Sequence, residues 1–174
     1  RFRSPNRRWE FSIPKANEIL DAAGWARARD GIRAKDGVRL RFIYQTSVNT
    51  PRQRTQAIYK QAAQRAGIDL ELKSVTASVF FSSDVANPDT FTKFYADMQM
   101  YTTTMPQADP ERFMNQYVSW EISSRANSWQ GRNIVRWRNE EYDRIYRESQ
   151  GELDPVRRAA MFIRMNDLVV GSNH

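Results

Sequence analysis

The sequence contains no cysteine, and its one histidine, His174, is the last residue. The lack of cysteine excludes a disulfide scaffold, a cysteine-ligated zinc site and a thiol nucleophile. A Ser-His-Asp triad needs a histidine as its base, and the terminal His174 is poorly placed for that role. No apolar run approaches the roughly 18 residues that span a bilayer, so we expect no membrane insertion of this chain.

The sequence also lacks motifs that bind cofactors or metal ions. It has no GxGxxG pattern and no Walker A loop. Asp30-Gly31 and Asp36-Gly37 lie close together, but the ligand required at the twelfth position of an EF-hand calcium loop is missing. We therefore expect no cofactor, no metal ion and no catalytic activity.

The composition is that of a folded domain. The chain has 174 residues, of which 40 % are hydrophobic and 12 % aromatic, which favours a folded core over intrinsic disorder. We expect one domain over residues 1–174, with residues 1–11 as a poorly ordered lead because they show no periodicity. The chain begins at Arg1, and the apolar Val169-Val170 lies close to its end. These ends suggest a piece of a longer protein.

Basic residues exceed acidic residues by 27 to 20, which gives a net charge of +7. Such a charge permits contact with nucleic acid. One arginine group is interleaved with Trp129 and Trp137, whose rings are of the kind that stacks on bases. The alternative is a solvated surface on which tryptophan packs beneath arginine stems. No recognised nucleic-acid-binding motif occurs, so a basic nucleic-acid-binding module remains the second hypothesis.

Two helices are indicated in the first half of the chain. Ser12 precedes an Ile-Pro pair and Gly24 follows the last apolar position, which predicts the start and end of a helix. A second helix is predicted from the capping residue Thr50 to Gly67. Its predicted buried face consists of Ile58, Ala62, Ala63 and Ala66.

Alternating apolar residues predict strands on both sides of the second helix, at 38–44 and 68–73. Strand, helix and strand with short connections predict a βαβ unit with parallel strands. A short helix is predicted at 77–81 and a third strand at 94–100.

The second half of the chain is predicted to be mainly helical. Asp109, Asn139 and Asp154 each precede a segment with helical spacing of apolar residues and are predicted to cap it. Residues 119–136 have no clear period, so we expect a long loop there, with a short extended piece at 133–137.

The predicted ligand site lies at the end of the third strand and in the long loop. Loops at the carboxyl ends of parallel strands line ligand crevices in α/β proteins, and a small-molecule cleft combines aromatic side chains with a few polar groups. The candidate residues are Tyr101, Thr103, Thr104, Trp129, Arg132 and Asn133. The alternative, equally open at this point, is that the tryptophan belongs to the core and the threonines simply end a strand.

Several segments in order resemble family 5 of the extracytoplasmic solute-binding proteins, the peptide, nickel and oligosaccharide group that serves ABC transporters. The segments are Lys15–Trp25 with its Ala-Gly-Trp ending, Asp30–Arg33, Lys35–Phe42, Ala63–Leu72, Asp97-Met98, Asp109-Pro110, Asn139–Asp143 and Asp154–Arg158. Together they extend over nearly the whole chain.

The resemblance implies an α/β fold: the C-terminal lobe of a two-lobed periplasmic-binding-protein-like type II fold, with a βαβ-based mixed sheet flanked by helices. It implies that the N-terminal lobe and the final return strands lie outside this sequence. It further implies a periplasmic location, a small-molecule or peptide ligand, and an ABC transporter permease as the partner.

The resemblance also bears on the ligand. In peptide-binding members, an acidic residue after the third strand pairs with the amino terminus of the peptide, whereas the matching stretch 103–107 has no acid. Asn133 matches a polar residue of the family. Trp129 and Arg132 are candidates from their own chemistry, as a stacking platform and as a partner for an anion or carbonyl. A sugar, an opine-like compound or a modified peptide suits these residues.

Overall fold

The computed structural model describes residues 4–6, 9–105 and 107–172, and it divides the chain into two compact units. We call Glu10–Thr102 the sheet unit. The described residues of Arg1–Trp9 and Thr103–His174 form the helical unit. That both units belong to one lobe stays a prediction. Of the predicted lead at 1–11, residues 1–3 and 7–8 lie outside the described residues.

The sheet unit contains six strands and three helices among its described residues. In chain order its elements are α1 (Ile13–Ala22), β1 (Ala26–Arg27), β2 (Arg33–Lys35), β3 (Val38–Arg39), β4 (Arg41–Ser47), α2 (Thr50–Ala66), β5 (Asp69–Val75), α3 (Ala77–Phe80) and β6 (Met98–Met100). Strands β1, β2 and β3 form an antiparallel sheet, and a second sheet has the parallel order β5-β4-β6.

The limits of α1 agree with the sequence prediction. The Ser12 hydroxyl accepts a hydrogen bond from the Lys15 backbone N–H at 3.2 Å, which satisfies one of the free donors of the first turn. Gly24 follows the helix with a φ of +82°, a conformation that residues with a Cβ rarely adopt. Both predicted signals are confirmed.

Helix α2 begins and ends close to the predicted positions. Its N-cap is Asn49, whose side chain accepts from the Arg52 backbone N–H at 3.2 Å, so the predicted cap at Thr50 was wrong by one residue. The helix ends as predicted at Gly67, which has a φ of +84°. A Cβ at Gly67 would also lie 2.6 Å from Arg33 Cγ, so only glycine fits there.

The buried face of α2 differs from the prediction at Ile58, which is 66 % exposed. Gln56 is buried instead, and its side-chain amide donates to the Tyr44 carbonyl oxygen at 2.6 Å. A buried polar side chain is stable when it is hydrogen-bonded. The prediction from apolar periodicity was wrong here because the inward-facing position is occupied by Gln56, which is hydrogen-bonded to the sheet, and not by an apolar side chain.

The predicted βαβ unit with parallel strands is confirmed. Strands β4 and β5 pair in parallel from Arg41↔Asp69 to Ser47↔Val75, and β6 pairs with β4 on its other side. The third strand is shorter than the predicted 94–100. Phe94 has a φ of +43°, and the Asp97 carboxylate accepts from the Ile43 backbone N–H at 2.7 Å in place of a ladder bond.

The helical unit contains α4 (Glu111–Met114), α5 (Glu140–Gly151) and α6 (Pro155–Gly171), with 3₁₀ turns at Asn115–Tyr117, Ser119–Glu121 and Arg125–Asn127. The predicted caps Asn139 and Asp154 are confirmed, since each accepts from backbone N–H groups in the first turn of its helix. The extended piece predicted at 133–137 is not a strand; an isolated bridge pairs Ile122 with Asn133.

The core of the helical unit packs α5 against α6 and the preceding turns. Its buried residues are Val118, Trp137, Tyr142, Ile145, Tyr146, Phe162 and Met165. Residues that precede α1 bond to α6: the Ser4 hydroxyl and the Asn6 amide donate to Asp167, and the Trp9 indole donates to the Val170 carbonyl. Helices that flank sheets confirm the predicted α/β class.

Candidate functional site

The carboxyl ends of the parallel strands form one edge of the sheet unit. The Thr46 hydroxyl of β4 donates to the Met100 carbonyl of β6 at 2.6 Å, which fixes the two strand ends together. Tyr101 follows directly and is half-buried, with its ring centroid 5.3 Å from that of Phe91. This predicted site residue therefore belongs to an aromatic cluster at the sheet edge.

Sequence reasoning missed Arg52, which lies in the first turn of α2 at the same edge. Its Nη1 donates to Ser47 Oγ at 2.5 Å and its Nη2 donates to Thr102 Oγ1 at 3.0 Å. Its Nε is buried without a partner among the described residues. A serine at a strand end followed by an arginine in the next helix was the available signal, but Thr102 lies far away in sequence.

The predicted residues Thr103 and Thr104 belong to the helical unit and are exposed in an irregular segment. Their hydroxyls are therefore accessible to solvent. The structure gives them no secondary structure, which agrees with the prediction of a loop after the third strand.

Asn133 holds the long loop of the helical unit from inside. Its side chain is fully buried, and its Nδ2 donates to the Val118 carbonyl at 3.0 Å and to the Trp137 carbonyl at 2.8 Å. Its backbone N–H donates to the Glu121 carbonyl at 2.8 Å. Asn133 thus ties both ends of the loop together.

Gly131 lies where two stretches of the same loop approach each other. A Cβ at this position would lie 2.3 Å from the Glu121 carbonyl oxygen and 2.6 Å from the Ser123 nitrogen. Both atoms belong to the backbone and cannot move aside cheaply. The close approach explains why the loop needs glycine at position 131, two residues before Asn133.

Trp129 and Arg136 form the outer part of the loop. Both have a positive φ, +61° and +59°, and the Arg136 guanidinium lies 5.7 Å from the centre of the Trp129 ring. Non-glycine residues in this conformation are held by their surroundings and are often found at binding sites. Trp129 is half-exposed and Arg132 is exposed, so the loop presents an aromatic face and a guanidinium to solvent.

The structure thus places three of the predicted residues, Trp129, Arg132 and Asn133, on one loop held by buried hydrogen bonds. Trp137, considered as a stacking residue at the sequence level, is 6 % exposed and belongs to the core. Its ring lies 5.1 Å from Tyr142 in an edge-on contact. Because Trp137 is buried, its ring is not available to stack on nucleic-acid bases, as the second hypothesis had supposed.

A cavity of about 750 Å³ lies along α6 in the helical unit. Arg158 lines it and bonds to Asp109 and Glu111, so its charge is compensated. Burial works to raise the pKa of Asp109, but the Glu111 backbone N–H and Arg158 together lower it below its ordinary value. None of the six predicted site residues, all of which the structure describes, lines this cavity.

Within residues 4–6, 9–105 and 107–172, no group of three or more His, Asp or Glu side chains is arranged to hold a metal ion. Over the same ranges, no helix combines the length and the apolar character needed to cross a bilayer.

Comparison with protein families gives a match over most of the chain. Residues 2–124 match the family model described as bacterial extracellular solute-binding proteins, family 5 Middle. A curated relative, Protein XP55 of Streptomyces lividans, is 38 % identical over 68 residues, which is 38 % of this chain and 12 % of the relative.

Solved structures match nearly the whole chain. The oligopeptide-binding protein of Thermus thermophilus, complexed with a pentapeptide, is 26 % identical with a TM-score of 0.79 over 97 % of this chain. NikZ of Campylobacter jejuni, in complex with Ni(L-His), is 17 % identical with a TM-score of 0.77 over 96 % of this chain and shares the fold. The chain spans only 29 % and 31 % of the lengths of these two proteins. It belongs to family 5 of the bacterial extracellular solute-binding proteins.

Proposed function

We propose that this chain supplies part of the ligand-binding surface of a solute-binding protein that captures a small solute for import by an ABC transporter. The observation that carries this proposal is the match, over 97 % of the chain at 26 % identity, to an oligopeptide-binding protein complexed with a pentapeptide. The family membership supports the same role. On this proposal the protein works outside the cytoplasm and is not an enzyme.

The proposed contact residues are Tyr101, Thr103, Thr104, Trp129 and Arg132, with Asn133 as the residue that holds the loop. Support comes from the exposed threonines and from the loop that carries Trp129 and Arg132. A half-exposed tryptophan offers a face for a sugar ring or an aromatic side chain, and an exposed guanidinium offers donors to a carbonyl or a carboxylate. The proposed ligand is peptide-like, a sugar or opine-like.

The proposed mechanism is closure of two lobes on the ligand, of which this chain forms the C-terminal one. A ligand that contacts both lobes stabilises the closed form by its difference in affinity between the open and closed states. The closed form would then dock on a membrane permease. The isolated chain holds only one side of the site, so we expect it to bind the solute weakly.

Native mass spectrometry of the protein isolated from its natural source, without refolding, tests this proposal. The proposal predicts a retained small mass that dissociates on unfolding. Co-purified nucleic acid that dissociates with rising salt would instead favour the second hypothesis, a basic nucleic-acid-binding module. No retained small mass together with no response to a panel of peptides, sugars and opines would contradict solute capture.

A further inference from the structure

The sheet unit contains two Asp-Gly pairs that differ in their surroundings. Asp30-Gly31 lies between β1 and β2, and Asp36-Gly37 joins β2 to β3. In such a pair the glycine has no side chain to keep its backbone nitrogen away from the carboxyl of the preceding aspartate. The nitrogen can therefore attack that carboxyl, and the hydrogen bonds around each pair decide whether it does.

The first pair is held in place by its neighbours. The Asp30 carboxylate accepts from the Ile32 backbone N–H at 3.1 Å and forms an ion pair with Arg39. The hydrogen bond from Arg39, and then the one from Ile32, lower the pKa of this carboxyl below its ordinary value. The backbone nitrogen of Gly31 donates to the Ala28 carbonyl at 2.9 Å. Both groups that would have to react are thus engaged with other partners.

The second pair has no such partners. Asp36 and Gly37 form the two-residue turn of a hairpin, and their φ values of +51° and +79° are those of a type I′ turn. Both residues are exposed. Within the described residues, no hydrogen bond or ion pair engages the Asp36 carboxylate or the Gly37 backbone N–H. The two groups are adjacent, unengaged and open to solvent.

We propose that Asp36 is a site of spontaneous isomerisation to isoaspartate, from which Asp30 is protected by its hydrogen bonds. The Gly37 backbone nitrogen attacks Asp36 Cγ and loses its proton, so that an N–Cγ bond forms. One Cγ–O bond breaks, and a water molecule leaves behind a cyclic imide.

Hydrolysis of the imide completes the reaction. A water molecule adds to one of the two ring carbonyls and breaks its bond to the nitrogen. Opening at the main-chain carbonyl leaves the backbone connected through the side chain of Asp36, which is isoaspartate, whereas opening at Cγ restores aspartate. One water is released and one is taken up, so the net change is an isomerisation that needs neither an oxidant nor a reductant.

The product alters the turn between β2 and β3. Isoaspartate adds one methylene to the backbone of a two-residue loop, so the pairing of Lys35 with Val38 should weaken. Strand β2 is also anchored by Arg33, which is 1 % exposed and donates from Nε to the Ala66 carbonyl at 2.9 Å. We therefore expect the modified chain to stay folded. The inference goes beyond the proposed function and does not depend on solute capture.

The test follows both pairs in one experiment. The complete 174-residue chain is incubated in mildly acidic buffer, and samples are digested with trypsin at intervals. Cleavage at arginine and lysine releases the tetrapeptides Asp30–Arg33 and Asp36–Arg39, whose sequences are Asp-Gly-Ile-Arg and Asp-Gly-Val-Arg. Since they differ by one methylene, each is a matched control for the other. Chromatography separates the isoaspartate form of each peptide from the aspartate form of equal mass, and electron-transfer fragmentation identifies it.

We expect isoaspartate to form at least tenfold faster at Asp36 than at Asp30 in the folded chain. In urea the contacts of Asp30 are lost, so the two rates should become similar. Equal rates in the folded chain would overturn the proposal. A tenfold difference that persists in urea would also overturn it, because the local sequence and not the structure would then be responsible.

A pair of variants tests the protection of Asp30. Arg39→Gln removes its ion pair and leaves the Asp30–Arg33 peptide intact, so isomerisation at Asp30 should become several-fold faster. The matched control is Arg41→Gln, since Arg41 is also exposed but pairs with Asp69, and it should leave Asp30 slow. An unchanged rate at Asp30 in Arg39→Gln would overturn the assigned protection. If that variant fails to fold, the comparison of the folded and urea-unfolded chain still decides the question.

Discussion

The side-chain nitrogen of Asn133 lies 3.0 Å from the carbonyl oxygen of Val118, inside the helical unit and out of reach of solvent. A second hydrogen bond from the same nitrogen reaches the Trp137 carbonyl at 2.8 Å. These two bonds hold the segment that presents Trp129 and Arg132 between them. The proposed ligand contacts therefore depend on a buried residue that does not itself contact solvent.

Replacement of Asn133 by alanine should destabilise the chain strongly. The substitution removes both hydrogen bonds that the buried side-chain amide donates, to the Val118 and Trp137 carbonyls, and we expect a loss of about 2–4 kcal/mol in the free energy of unfolding. Urea unfolding, followed by tryptophan fluorescence, measures the change. Arg132→Gln serves as the control, since the side chain is exposed, and should cost less than about 0.5 kcal/mol. Similar unfolding midpoints for the two variants would contradict this account of the loop.

Substitution of Gly131 by alanine should also be costly. The new Cβ would lie 2.3 Å from the Glu121 carbonyl oxygen, so the loop must shift, at an expected cost of about 1–3 kcal/mol. Gly151→Ala is the matched control, because nothing lies within 4 Å of its Cβ position at the end of α5. Since alanine favours helix, the control should be neutral or stabilising by up to about 1 kcal/mol. A harmless Gly131→Ala would refute the close approach.

Asp167 should make stability depend on pH in the acid range. Hydrogen bonds from Ser4 and then Asn6 lower the pKa of this carboxyl below its ordinary value. Because its pKa is lower in the folded state, the Asp167 carboxylate stabilises the protein at pH values above its pKa in the unfolded state, which is about 3.9. This stabilisation is lost as the pH falls through the lower folded-state pKa.

The measurement compares the unmodified chain with Asp167→Asn by urea unfolding between about pH 6 and pH 2.5. We expect the unmodified chain to have a larger free energy of unfolding than Asp167→Asn. This difference should be constant near the upper end of the pH range and should shrink below about pH 4. An advantage that stays the same across the whole range would show that the carboxylate contributes nothing by its charge.

Trp129→Ala should weaken solute binding while stability changes little. Its ring is half-exposed and contacts Arg136, so its loss opens no large cavity in the core. The matched control is Trp120→Ala, since Trp120 is 44 % exposed and lies beneath Arg147 but is not a proposed contact. The amount of solute retained by each variant in native mass spectrometry is the readout. Equal retention by both variants would remove Trp129 from the proposed site.

The sequence predicted those elements whose signals are local. Ser12, Asn139 and Asp154 cap the helices as expected, because a cap depends on hydrogen bonds within one turn. The parallel pairing of β4 with β5 followed from a short strand-helix-strand pattern. The order of several such segments along the chain was sufficient to indicate the family.

Predictions failed where a distant partner decides the structure. Burial of Gln56 instead of Ile58 depends on the Tyr44 carbonyl, which lies on another element. The late start of β6 depends on the Asp97 carboxylate, which takes the Ile43 N–H. The contact between Arg52 and Thr102 is of the same kind. Side-chain bonds to distant residues leave no periodic signal in the sequence, and for this reason the hydrogen bonds of Arg52 at the sheet edge were missed.

Native mass spectrometry of the protein from its natural source, purified without refolding, tests solute capture most directly. The account predicts a discrete small mass that is retained under native conditions, is lost on unfolding, and is reduced by Trp129→Ala more than by Trp120→Ala. Recovery of the protein with bound nucleic acid that dissociates with salt, and with no small solute, would contradict it.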